Sequence, residues 1–273
     1  MPASLLGKSW LIMGVVDDSR EVLTRPAMPP DVILRYGPRD DQVVDVRLPR
    51  RTNAPLVVLL HGGFWRVAWD RVHLRPMADA LATAGFAVAV PEYARTGGGG
   101  GWPVTFDDIA LAVNVLPGLV AHTVGTAFDP TRIVLAGHSA GGQLALWCAG
   151  HGLPLEYVGV VALAPVADLA EAFRLDLDGG AVRELLGAGP DEVPDRYART
   201  DPTRLPAPAV PVIVVHGSDD SAVPPQLSER YAMHTAAELR LLDGVGHFEL
   251  IDPRSAAWPV VHDAIRGIAH RPR

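Results

Sequence analysis

Apolar residues along this chain fall into two alternating textures. Short, largely apolar runs of five or six residues recur at 56–60, 86–90, 132–136, 158–163 and 210–215, the first of them fully apolar. Runs of that kind, rich in valine and leucine, predict central parallel strands buried on both faces. Between them lie longer segments with helical spacing, at 71–84, 106–120, 225–237 and 256–268. Asp70 stands before the first of these as an N-cap. Residues 32–36 and 43–48 read as two strands joined by a turn through Gly37-Pro38-Arg39-Asp40-Asp41, able to form an antiparallel edge. Residues 239–242 complete the strands. Strand–helix alternation of this type predicts an α/β fold, with a mostly parallel central sheet and helices on both faces.

Two stretches break the pattern. Residues 1–30 are proline-rich and without a clear period, and read as an irregular arm with a short helix near residues 5–15. Residues 165–206 are polar and punctuated by proline, with one helical stretch at 181–186. They are too long for a simple loop and read as a cap inserted above the sheet of a single domain, 31–273.

Composition narrows the partners. At 273 residues and 48% hydrophobic, the chain can build one large core. A net charge of −7 argues against a nucleic-acid partner, which needs a basic face. The single cysteine, Cys148, allows no internal disulfide and suits a reducing cytoplasm. No apolar run reads as long enough to span a bilayer, and the segment 5–16 carries Lys8 and lacks a small-residue cleavage pattern, so neither a membrane anchor nor a signal peptide is expected. The histidines lack metal-ligand spacing, and no metal or other cofactor is expected. Oligomeric state is not readable from these patterns.

Chemistry collects after the strands, where open parallel sheets place reactive groups. The run 132–136 leads into Gly137-His138-Ser139-Ala140-Gly141, a strand, sharp turn and helix that would hold Ser139 in a strained, exposed conformation. A serine hydroxyl needs a base and a group to orient that base. After 210–215 come Asp219 and Asp220, of which the spacing from His216-Gly217 favours Asp220; the other could cap the following helix. After 239–242 comes His247, in a glycine-rich loop. After 56–60 comes His61-Gly62-Gly63-Phe64-Trp65, whose backbone amides could meet a developing oxyanion together with that of Ala140. His61 and the Glu92-Tyr93 pair read as supports for this loop. His138, Trp65 and Trp102 are candidates to line the pocket. The five glycines at 97–101 read either as a surface loop or as a gate carrying Trp102 over the pocket.

These four features, in the order serine, aspartate, histidine, resemble the α/β-hydrolase superfamily over nearly the whole chain from about residue 32. His61-Gly62-Gly63-Phe64-Trp65 is similar to the H-G-G-x-W motif of the arylformamidase (kynurenine formamidase) and related esterase group. The resemblance implies a Ser139 nucleophile, a His247 base, an Asp220 orienter, and oxyanion donors at Gly63, Phe64 and Ala140. It implies a small-molecule ester substrate or, alternatively, an N-formyl aryl amide. Acyl transfer or a non-catalytic binding role on the same fold is a further alternative. Phe64 stands where hormone-sensitive-lipase-type esterases have a third glycine, which predicts a narrow acyl side suited to formyl or acetyl groups.

Overall fold

The computed structural model describes residues 18–154 and 156–271. Eight strands form one sheet: β1 (Val32–Arg35), β2 (Val43–Arg47), β3 (Ala54–Leu60), β4 (Ala87–Pro91), β5 (Phe128–His138), β6 (Tyr157–Leu163), β7 (Val212–Gly217) and β8 (Glu238–Leu242). Their order is β1-β2-β4-β3-β5-β6-β7-β8. The first pair is antiparallel, as is β2 against β4, and every later pairing is parallel.

Alternation along β3 shows why the sheet is covered twice. Leu56, Val58 and Leu60 pack with Phe106, Ile109 and Leu144. Val57 and Leu59 pack with Met77, Leu81, Val261 and Ile265. The first group comes from α2 (Val104–Val124) and α3 (Ala140–His151), and the second from α1 (Arg75–Thr83) and α8 (Trp258–Ala269). A strand with both faces apolar therefore needs helices on both sides, as its sequence implies.

Several boundaries differ from the sequence reading. The helix expected at 71–84 begins as a 3-10 turn, Arg71–Leu74, capped by Asp70 accepting from Val72 N, and becomes α-helical only at Arg75. The segment 165–206 holds three short helices rather than one: α4 (Leu169–Arg174), α5 (Ala181–Leu186) and α6 (Pro194–Thr200). Another helix, α7 (Gln226–Thr235), joins β7 to β8. By length and composition alone α2 could cross a membrane, contrary to the expectation that no run is long enough. Its Phe106, Ile109, Ala112, Val113, Leu116 and Val120 are buried in the core beside the sheet. The short helix expected near residues 5–15 lies outside the described residues. Residues Asp18–Leu23 form a 3-10 turn that reaches the same end of the sheet as Ser139.

Candidate active site

The turn between β5 and α3 holds Ser139 at φ 57°, ψ −120°, a conformation that an L-residue adopts only when its surroundings dictate it. Those surroundings are backbone. A Cβ on Gly137 would lie 2.1 Å from the Gly141 oxygen, and one on Gly141 would lie 2.2 Å from the Leu60 oxygen. Only glycine fits at either place. Ser139 N donates to Leu163 O at 2.8 Å, and Ser139 O accepts from Gln143 N at 3.0 Å, which ties the turn to β6 and to α3.

His247 and Asp220 meet from the ends of the two neighbouring strands, β8 and β7. His247 Nδ1 lies 2.6 Å from Asp220 Oδ2, with both residues buried. Asp220 Oδ1 accepts from Ala222 N and Val223 N, at 2.9 and 2.8 Å. His216 Nε2 sits 3.2 Å from Oδ2. Burial alone would raise the Asp220 carboxyl. Hydrogen bonds from His216, His247 and the Val223 amide outweigh it and hold the group well below the usual carboxylate range. Asp219, by contrast, is exposed and accepts from Ser218 Oγ at 2.8 Å; it caps no helix.

The loop after β3 is strained in series. Gly63, Phe64 and Trp65 all have positive φ, at 104°, 48° and 57°. A Cβ on Gly63 would lie 2.3 Å from Trp69 Cβ. Trp65 anchors the strain from below: its indole Nε1 donates to Gln143 Oε1 at 3.1 Å, and its carbonyl accepts from Thr96 N at 2.8 Å. Among the described residues no partner takes the amides of Gly63, Phe64 or Ala140. Underneath, Tyr93 Oη donates to the His61 carbonyl at 2.8 Å, and His61 Nε2 meets Glu92 Oε1 at 2.7 Å.

Ser139, His247, Gly63, Phe64 and His138 share the wall of one cavity of about 350 Å³. Ala140 is buried at the start of α3, immediately behind Ser139. His138 Nε2 faces the His247 carbonyl at 3.0 Å, and the two rings lie 4.5 Å apart. Burial, and then the neighbouring His247, push His138 well below the usual histidine range, so it stays neutral. The carbonyl then requires the proton on Nε2.

The chain matches the family described as BD-FAE over residues 44–234. It belongs to the BD-FAE family. This family makes it a hydrolase of the α/β-hydrolase type. An uncharacterized protein of Mycobacterium tuberculosis is 30% identical over 218 residues, covering 78% of this chain and 69% of that protein. Carboxylesterase NlhH of the same organism is 32% identical over 133 residues, covering 46% of this chain and 40% of that protein. The solved structure of a truncated carbohydrate esterase from gut microbiota superposes with a TM-score of 0.74 at 17% identity, over 89% of this chain and 100% of that one, which is a likeness of fold.

Two pocket candidates are corrected in this BD-FAE chain. Trp65 is fully buried beneath the loop and does not reach the cavity. Trp102 packs against Phe106, with ring centroids 5.6 Å apart, and its amide donates to Leu185 O at 2.7 Å. The glycine run at 97–101 does not reach the cavity either. Gly98 N and Gly100 N both donate to Arg95 O, and none of the five glycines lines the cavity. Residues that sequence reasoning missed take those places: Trp69 and His73 from the stretch after the loop, Phe248 beside His247, and Leu175 to Asp178 from the turn after α4. Phe248 follows the end of β8 by six residues, a signal of nearness to the site, whereas Trp69 lies nine residues past the end of β3. The turn after α4 comes from the proline-broken segment and carried none.

Proposed function

We propose that this chain is a serine hydrolase that cleaves short-acyl carboxylic esters of small molecules through an acyl-enzyme. The observation that carries the reading is the 2.6 Å contact of His247 Nδ1 with Asp220, made where His247 and a strained Ser139 wall the same cavity. On this reading Ser139 Oγ attacks the ester carbonyl while His247 Nε2 takes its proton, and Asp220 stabilises the imidazolium. The oxyanion faces the amides of Ala140, Gly63 and Phe64, each worth about 3 kcal/mol in the transition state. His247 returns the proton to the departing alcohol. Water, activated by the same ring, then releases the acid and frees Ser139.

The substrate class is that of carboxylesterase NlhH, one of the relatives above. Phe64 on the cavity wall supports a small acyl group. Residues 165–206 act as the cap of a single domain, 31–273, with their 175–178 turn closing one side of the cavity. The buried free thiol of Cys148 fits a reducing cytoplasm. A second reading, hydrolysis of an N-formyl aryl amide, is favoured by the same narrow side at Phe64, because formyl is the smallest acyl group.

The test is kcat/KM on p-nitrophenyl acetate and on N-formylkynurenine in parallel, with Ser139→Ala as the blank. Ester cleavage lost in Ser139→Ala supports the first reading. A formamide preferred by several powers of ten moves the assignment to the second. Full activity in Ser139→Ala overturns both.

A further inference from the structure

The turn after α4 that closes one side of the cavity is strained and stands largely in solvent. Asp176, Asp178, Gly179 and Gly180 all have positive φ, at 52°, 51°, 59° and 87°. The two aspartates keep that conformation only where their surroundings hold it. Hydrogen bonds within the turn fix its shape: Leu177 N donates to Ala172 O at 3.1 Å, and Gly179 N donates to Asp176 O at 3.0 Å. They do not fix where the turn stands relative to the nucleophile. Leu175, Asp176 and Asp178 are exposed, while Leu177 is half-buried against the core.

Arg66 supplies a tie from outside. Its backbone belongs to the loop after β3 and is fixed there. Arg66 N donates to Gly63 O at 3.0 Å, and on either side of it Thr96 N donates to Trp65 O at 2.8 Å and Val67 N donates to Thr96 O at 3.0 Å. Its guanidinium crosses to the cap. Nη2 donates to Gly179 O at 3.3 Å and to Glu184 Oε1 at 3.1 Å, and Nε lies 3.3 Å from Asp178 Oδ2. Among the described residues, Arg66 is the cation placed on Asp178 and on Glu184. Glu184 belongs to α5, which is anchored farther along by Trp102 N donating to Leu185 O and by the buried Val182, Leu185 and Leu186. A planar fork can serve the turn and the helix at once, which the single point charge of a lysine cannot.

We infer that Arg66 is a specificity-determining positioning residue: by clamping the 175–180 turn to the loop that carries Gly63 and Phe64, it sets the width of the cavity and so the size of ester admitted. The inference rests on the serine-hydrolase reading of that cavity. Arg66 does not itself line the cavity, so its effect passes through its neighbours. Gly63 and Phe64 form part of the wall on the loop side, and Leu175, Asp176, Leu177 and Asp178 form part of it on the cap side. Ion pairs as exposed as these add little to the stability of a fold. Their consequence here is where the wall stands.

The experiment compares Arg66→Met and Glu184→Gln with the wild type. Methionine keeps an apolar stem and removes the fork. Steady-state kinetics is run on p-nitrophenyl acetate, on p-nitrophenyl octanoate and on menthyl acetate, which enlarge the acyl half and the alcohol half in turn. Arg66→Met is expected to keep kcat on p-nitrophenyl acetate within about twofold, and to raise kcat/KM for at least one larger ester relative to that acetate about tenfold, through KM. Glu184 also lies off the cavity wall, and Glu184→Gln is expected to raise the same ratio by less. The two changes share one clamp, so together they fall short of the product of their separate effects. Hydrogen exchange over residues 175–180, which needs no ester, is expected to quicken in Arg66→Met. Ratios left unchanged or lowered in Arg66→Met overturn the inference, as does an equal loss on all three esters, the mark of a merely structural role. Unchanged exchange over 175–180 overturns it too. Glu184→Gln decides by the same ratios if Arg66→Met fails to fold. Full activity in Ser139→Ala overturns the serine-hydrolase reading instead, and leaves quickened exchange in the turn standing.

Discussion

At the scale of single residues, Asp220 shows how the site separates two adjacent carboxylates. Two backbone amides and two histidine rings converge on it, whereas Asp219 is exposed and its carboxylate accepts from Ser218 Oγ. Asp220→Asn removes the charge that stabilises the His247 imidazolium and turns an N–H toward Nδ1, which selects the wrong tautomer. We expect kcat to fall by ~10⁴ with KM little changed. Asp219→Asn is expected to stay within about twofold of wild type, as surface changes of this kind do. Steady-state kinetics on the pair checks the assignment, and equal losses would reverse it. Ser139, Asp220 and His247 were legible because each follows the end of a strand within five residues, and strand ends converge in an open parallel sheet. Trp65 and Trp102 also follow strands. Interval gives nearness to the site but not the side to which a ring turns, and both rings turn inward, to Gln143 and to Phe106.

At the scale of elements, backbone crowding decides what each loop can do. Gly99 has φ 91° and open space around a Cβ, while on Gly100 the Cβ would lie 2.4 Å from the Ala94 backbone. The loop they share is tied to Arg95 and lies away from the cavity lining. Gly99→Ala is therefore expected to leave kcat and KM within about twofold, with about 1 kcal/mol lost to strain at positive φ. Gly100→Ala is expected to lower the melting temperature much further, because backbone cannot yield as a side chain does. A change in KM for Gly99→Ala would restore the gate. The central strands and long helices were legible from their periods, but α4 and α6 were not. They have six and seven residues, too few to display a helical period. In addition, Pro194 reads in sequence as a break, whereas in the structure it opens α6, where a missing amide proton leaves no helical bond unmade.

At the scale of the whole molecule, buried histidines at the site couple its integrity to pH. His73 lines the cavity beside Trp69 and is held neutral down to about 4, chiefly by burial. In the unfolded chain the same ring takes a proton near 6.5. Between those two values the unfolded state binds more protons than the native one, so stability rises with pH across the window and is lost as the pH falls through it. Full protonation of the unfolded ring lowers stability by about 3 kcal/mol. His138, held well below its ordinary value, acts in the same direction. Glu92 contributes in a lower window. Its stabilisation is complete above about 4.5 and is lost as the pH falls toward about 2. Urea midpoints measured from pH 7 down to pH 3 should therefore fall in two stages, the histidines first and the carboxylate second. His73→Gln removes one of the titrating rings and should flatten the first stage while leaving the second in place. Parallel curves for wild type and His73→Gln between pH 6.5 and 4 would show that His73 is not the ring that couples this fold to pH.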